Sequence, residues 1–339
     1  MSSFSEKFVQ IIQEHDLSIF LAFFSIVGAF VAVTKALSFW KLLFDLYLRP
    51  GKSLKQFGAD TGAWAVITGA SDGIGKEFAC QLAAAKFNVL LISRTELKLQ
   101  NLSNDIESKY QVESKTYAMD FAKGDKKDYE NLKEIIGKLN VGVLINNVAT
   151  NHEIPTPFIL ETDEVINNIV EVNVAGFLRI TKIVLPRMIS SNRGLIINVG
   201  SFSGMVPTPY LSVYSASKAF MSTFSAALGT ELNSKGIVVE NVNLYFVVSA
   251  MSKIRKSSWL VPQPKPCVKS ILSKIGVSGG ASNVPYSSCV YPSHALANWL
   301  ITNTFNQSFW VNNGLSINED IRKRALRKRE REAAASKAQ

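Results

Sequence analysis

From residue 63 onward the chain alternates short apolar runs with longer mixed segments, and this alternation restricts the fold more tightly than any other feature. The runs at 63–68 (AWAVIT), 88–93 (NVLLIS), 141–146 (VGVLIN), 195–199 (LIINV) and 238–244 are continuous rather than alternating in polarity. Such runs suit strands buried on both faces of a parallel sheet. Segments 73–85, 96–109 and 127–139 between them have helical spacing. Residues 114–119 and 284–290 read as further strands, the latter as the last of the sheet. Strands separated by helices of ten or more residues form βαβ units. The expectation is an α/β, Rossmann-type doubly wound parallel sheet in one catalytic domain over residues 61–292. No period of twenty to fifty residues repeats, so a solenoid is excluded.

The first crossover carries Thr68-Gly69-Ala70-Ser71-Asp72-Gly73-Ile74-Gly75. Glycines at a strand-to-helix turn let backbone approach a pyrophosphate held at the helix N-terminus. Gly69, Ser71, Gly73, Ile74 and Gly75 are therefore candidate cofactor-binding residues. An acidic residue about twenty positions on would read a ribose 2′-hydroxyl; this chain has Ser93-Arg94-Thr95 there. A guanidinium suits a 2′-phosphate, so Arg94 selects NADPH over NADH.

Tyr214 and Lys218 lie four apart in YSASKAFMSTFSAAL and so share one helical face. A phenol ordinarily titrates near 10, too high for ready exchange at neutral pH. An adjacent ammonium would lower it and make Tyr214 a usable acid and base. Ser201 follows the LIINV run, where its hydroxyl can meet a carbonyl oxygen. Asn173, in the long helical stretch after residue 160, can hold a water relaying protons to Lys218. The four form the candidate catalytic set.

Residues 17–34 contain no charge, about 27 Å of helix, close to the thickness of a bilayer core. Glu6, Glu14 and Asp16 precede it where a signal peptide would be basic. Lys7 stands alone before the segment, while Lys35, Lys41, Arg49, Lys52 and Lys55 follow it, which places everything after residue 35 on the cytosolic side. Residues 37–48, with Trp40 and Tyr47, read as an interfacial amphipathic continuation.

The formal charge is +10, from 37 Lys and Arg against 27 Asp and Glu. Residues 322–339 hold eight bases and two acids, or +6 of it, so the positive balance points to a membrane surface and not to nucleic acid. Three scattered cysteines, Cys80, Cys267 and Cys289, give neither a disulfide framework nor a close-spaced cysteine zinc site, and no metal is expected. His15 and His294 lack ligand spacing, and His152 reads as a loop residue.

On these residues the chain from about 63 to 290 resembles the short-chain dehydrogenase/reductases. The resemblance implies that Asp120 contacts the adenine, that Asn147 supports the cofactor site, that Lys218 holds the nicotinamide ribose, and that Val247 and Ser249 flank the nicotinamide. Two departures stand out: Ala149 follows Asn146-Asn147-Val148 where the family has glycine, and Leu244-Tyr245 replaces Pro-Gly. TGASDGIGKEFA, GSFSGMVPTPYLSVYSASK and SAMSKIRKSS, together with the N-terminal apolar helix, are similar to the fungal very-long-chain 3-oxoacyl-CoA reductases, which are related to 17β-hydroxysteroid dehydrogenases. That similarity implies a 3-oxoacyl-CoA substrate, NADPH, other fatty-acid elongase components as partners, and the endoplasmic reticulum membrane with the catalytic domain in the cytosol. It also makes Lys253-Ile254-Arg255-Lys256 either a place for the CoA phosphates or a solvated charge run.

The expected organisation is a non-cytosolic N-terminus (1–16), a transmembrane helix (17–36), an interfacial linker (37–60), the catalytic domain (61–292), a membrane-associated apolar helix (293–313) and a solvated basic cytosolic tail (314–339). Residues 275–318 carry no Asp, Glu, Lys or Arg, and 294–311 read as one helix, interfacial or re-entrant rather than spanning. A 17β-hydroxysteroid-type ketone reductase and a non-catalytic membrane scaffold of an elongase complex remain alternative readings.

Overall fold

The computed structural model describes residues 6, 17–282 and 284–337. His15, Lys7 and most of the expected N-terminal segment lie outside the described residues. The centre is a parallel sheet of β1 (Trp64–Thr68), β2 (Asn88–Ser93), β3 (Ser114–Ala118), β4 (Val141–Asn146), β5 (Gly194–Val199), β6 (Ile237–Val242) and β7 (Ser287–Ser288), in the order 3-2-1-4-5-6-7. Side-chain alternation sends Val89 and Leu91 into one apolar layer and Leu90 and Ile92 into the other. Covering both faces is why these strands are apolar throughout. The last strand is much shorter than 284–290: only Ser287 and Ser288 pair, with Asn241 and Val242.

The apolar N-terminal helix α1 (Leu17–Leu43) runs without interruption past residue 36 and ends in a π-turn, Phe44–Leu48. The most apolar eighteen residues of Ile19–Leu48 have a mean hydropathy of 2.1, the protein buries none of them, and the helix is long enough to cross a membrane. Its far end is held by the catalytic domain. Leu42 and Asp45 are each 1% exposed, while Trp40 and Tyr47 face outward. Leu42 joins Phe202, Ala281, Cys289 and Ala295 in a small apolar cluster. The 37–48 stretch is thus a docked helix end as well as an outward aromatic face, because tertiary contacts bury the side carrying Leu42 and Asp45.

Residues 294–311 do not form the single helix expected. After the catalytic-domain helices α2 (Gly73–Ala84), α3 (Glu96–Tyr110), α4 (Lys126–Gly137), α5 (Asp163–Val170), α6 (Phe177–Ser190), α7 (Phe202–Met205), α8 (Ser212–Leu232) and α9 (Pro264–Ser273), helix α10 (Pro292–Asn303) stops, and α11 (Gln307–Lys337) begins after a break in which Asn306 caps Phe309 N–H at 2.9 Å. The basic tail belongs to α11 and is not simply solvated. Asn318 donates to Pro209 O (2.8 Å), Tyr210 to Glu319 (3.2 Å), and Arg322 to Pro155 O (2.8 Å) and Thr156 Oγ1 (2.9 Å). These contacts are polar, so no apolar stripe announces them.

Candidate active site

Strand order reverses between β1 and β4, and the crevice outside that reversal is where open α/β sheets take ligands. The glycine turn lies there. Asp72 caps the following helix (Gly73–Ala84) by accepting from Gly73 N–H at 2.7 Å. Gly69 and Gly73 have φ of +65° and +54°, a region costly for other residues. A Cβ on Gly75 would meet Gly69 O at 2.1 Å, so only glycine lets the helix sit this close to the strand. Asn147 donates to Thr68 O (3.0 Å) and Gly69 O (3.1 Å), pinning the turn. Ile74 turns its side chain into the core, leaving its backbone as what it can offer a ligand.

A cavity of about 300 Å³ opens beside this turn, lined by Ser71, Asp72, Lys76, Lys98 and Asn101 among others. Ser93, the last residue of β2, donates to Ser71 Oγ at 2.7 Å. Arg94 stands next to Ser93, exposed. Lys98, one turn into the next helix, was missed by the sequence reading; its signal was a second cation four residues past Arg94. Asp120 caps a short turn through Ala122 N–H (3.1 Å) at the end of β3. Ser249 faces the turn, its Cβ 3.3 Å from where a Cβ on Gly73 would stand, and Val247 is buried beneath it. The cradle, the cavity and the cations fit a phosphorylated dinucleotide.

Ser201 caps the short helix Phe202–Met205, accepting from Ser203 N–H at 3.1 Å. Tyr214 and Lys218 lie on one buried face of Ser212–Leu232. Lys218 Nζ donates to Val199 O at 2.7 Å and lies 5.8 Å from the centre of the Tyr214 ring. Burial pushes the Tyr214 phenol up, and the Ser201 hydroxyl pulls it back. The expected lowering by Lys218 is therefore corrected: burial and the Ser201 hydroxyl set the Tyr214 shift, and the lysine itself is pushed down to about 8 by desolvation.

Asn173 is fully buried in a π-turn, Glu171–Gly176. Its amide donates to Thr150 O (2.9 Å) and Ser217 Oγ (3.0 Å) and accepts from Thr150 N–H (2.8 Å). The side chain is committed to these partners within a π-helical turn, a distortion frequent at functional sites. His152 is buried and bonded to Glu161 through Nδ1, more than a loop residue. His294 is a core group: Nε2 meets Leu260 O at 3.0 Å, and burial pushes its pKa down to about 4. Tyr245, at the second departure, packs its ring against Phe202, 5.5 Å between centres.

The arrangement can polarise a carbonyl and deliver a proton to its oxygen beside a dinucleotide cradle. The profile of the short chain dehydrogenase family matches residues 63–258. The chain belongs to this family. It is 50% identical over 309 residues to a very-long-chain 3-oxoacyl-CoA reductase of Aspergillus terreus, covering 90% of this chain and 87% of that one. A protein of the same name from Coprinopsis cinerea is 48% identical, covering 91% and 92%. Among solved structures, a 7β-hydroxysteroid dehydrogenase superposes with a TM-score of 0.66 at 23% identity, covering 75% of this chain and 96% of that one. A short-chain dehydrogenase from Sphingobium yanoikuyae in complex with NADPH gives 0.60 at 24%, covering 71% and 92%. These two likenesses establish the fold of the family.

Proposed function

We propose that the protein is an NADPH-dependent reductase of very-long-chain 3-oxoacyl-CoA, yielding the 3-hydroxyacyl-CoA. The observation that carries this reading is the convergence of Ser201, Tyr214 and Lys218 beside the glycine turn in a chain about half identical to 3-oxoacyl-CoA reductases over 90% of its length. Gly69, Ser71, Gly73, Ile74, Gly75, Asp120, Asn147, Val247 and Ser249 would hold the cofactor, with Arg94 and Lys98 available to its 2′-phosphate. NADPH, when bound, supplies the hydride.

Ser201 donates a hydrogen bond to the 3-oxo oxygen and stabilises the negative charge that develops there. Tyr214 gives its proton to that oxygen. Lys218 and a water held at the Asn173 turn return a proton to the phenol. α1 anchors the protein in the endoplasmic reticulum membrane with its basic flank in the cytosol, where other elongase components supply the ketone and take up the alcohol.

Tyr214→Phe should lower kcat for a C20 3-oxoacyl-CoA by about 10²–10⁴, the ordinary contribution of a positioned acid. Near-normal turnover by this variant, or faster reduction of estrone than of the thioester by the wild type, would overturn the assignment.

A further inference from the structure

A second, larger cleft of about 990 Å³ adjoins the cofactor turn: it shares Asp72 and Lys76 with the smaller cavity, includes Gly73 and Ser249, and extends from them to Lys253, Arg255, Lys265 and Lys328. Cations from four separate segments line it: Lys76, Lys253, Arg255, Lys265 and, from α11, Lys328. Asp72 and Glu77 are the two carboxylates on its wall, and Asp72 is already engaged with Gly73 N–H. Lys328 has a weak partner in Glu332 at 3.7 Å, on an exposed helix turn. Lys256, grouped with Lys253 and Arg255 on sequence, does not line the cleft.

The loop carrying two of these cations is built rather than loose. Ser249 bridges to Ile254, and Ser252 Oγ donates to Val247 O at 2.7 Å. Lys253 has a φ of +56°, an unfavourable conformation for a lysine. Its Nζ donates to Glu153 O at 3.0 Å, while the Glu153 carboxylate pairs with Arg329 of α11 at 2.7 Å. Glu153 thus ties the loop and the helix together at the cleft.

Helix α11 also has an order along its length. Phe305 and Phe309, exposed and in ring contact, lie at its start, next to Asn303, which accepts from Lys35 of α1 at 3.0 Å. Asn318, Glu319 and Arg322 in the middle touch Pro209–Tyr210 and Pro155–Thr156, shortly before Tyr214 and after Asn147 in sequence. Lys328 comes about 28 Å beyond Phe309. Apolar surface, catalytic loops and cations follow one another along one helix.

We infer that this cleft binds the 3′-phosphorylated ADP end of the coenzyme A carrier, with Lys253, Arg255 and Lys328 taking its phosphates. The inference rests on the reductase reading and deepens it: α11 is a wall of the substrate site. Because the cofactor is also a polyphosphorylated nucleotide bound near Gly73, the test must separate the two sources of phosphate.

Full-length wild type, Lys328→Glu and Arg255→Glu, in detergent, are compared on 3-oxoacyl-CoA and on the same acyl group carried by N-acetylcysteamine, which has no phosphate. Binding of free coenzyme A is measured separately by calorimetry. Each charge reversal should raise KM for the CoA thioester and Kd for coenzyme A about ten-fold. KM for NADPH and kcat/KM for the short thioester should stay within about two-fold. Equal effects on both thioesters, unchanged coenzyme A affinity, or a shift confined to NADPH would overturn the inference. If wild type reduces neither thioester, the reductase reading fails, and the calorimetric comparison still decides the cleft.

Discussion

Lys218 Nζ donates to Val199 O at 2.7 Å, so the last carbonyl of β5 holds the ammonium beneath Tyr214. β5 also leads directly into Ser201, and one strand end therefore positions both the hydroxyl and the ammonium that lie against Tyr214.

Burial lowers the lysine to about 8, which sets a pH window. Below that value the ammonium is intact; above it the proton is lost and Tyr214 loses its supply. Turnover in the reductive direction should fall through pH 8 along a single ionisation, approaching ten-fold per unit on the alkaline side. A kcat profile flat to pH 9.5 would contradict this role.

Asn173 satisfies three polar groups at once, both backbone groups of Thr150 and the Ser217 hydroxyl. Asn173→Ala leaves both Thr150 backbone groups without this partner, while the Ser217 hydroxyl keeps Tyr214 O, at a cost of about 1–3 kcal/mol. Thermal unfolding should move down by several degrees, and turnover should fall with it. An unchanged melting temperature would show that the network does not bear on stability.

Asp45 accepts from Lys41 at 2.8 Å and Arg49 at 3.4 Å while almost fully buried against the catalytic domain. Asp45→Ala removes the acceptor shared by two half-exposed cations and by the Ser278 hydroxyl, and since the cations keep water the cost is about 1–2 kcal/mol. Limited tryptic proteolysis in detergent should then cut faster at Lys52 or Lys55. Equal cutting rates would mean the docking is held elsewhere.

Glu240 is buried on β6, accepting from Gly276 N–H at 2.8 Å and from Ser288, and burial raises it to about 7. A carboxyl raised in the fold gives its full stabilisation below its unfolded value near 4.5 and loses it as pH rises through 7. Relative to wild type, Glu240→Gln should gain stability between pH 5 and pH 8, by up to about 3 kcal/mol. Melting temperatures of the two proteins at those pH values give the comparison, and a constant difference would refute it.

Much of the sheet was legible. The runs at 88–93 and 141–146 match β2 and β4 end to end, because a strand covered on both faces must be apolar throughout. The last strand was placed within 284–290 but its length was not, since only Ser287 and Ser288 pair with β6 and they carry no apolar signature. Ser201, Tyr214 and Lys218 could be named from residue type and spacing, and the structure brings them together. The direction of the Tyr214 shift could not, because it depends on how much water burial removes.

The amino-acid sequence alone determined the family fold, the glycine turn, the spacing that brings Ser201, Tyr214 and Lys218 together, and a helix able to cross a membrane. Each is written in local chemistry: glycines where backbone must approach, apolar runs where no water remains, a phenol and an amine one helical turn apart. Tertiary structure decided that Leu42 of that helix shares a cluster with Phe202, and that the basic tail folds back as a wall of the cationic cleft. Those contacts join residues far apart in the chain through a few polar bonds and one small apolar cluster. No periodicity records them, so only the folded chain shows them.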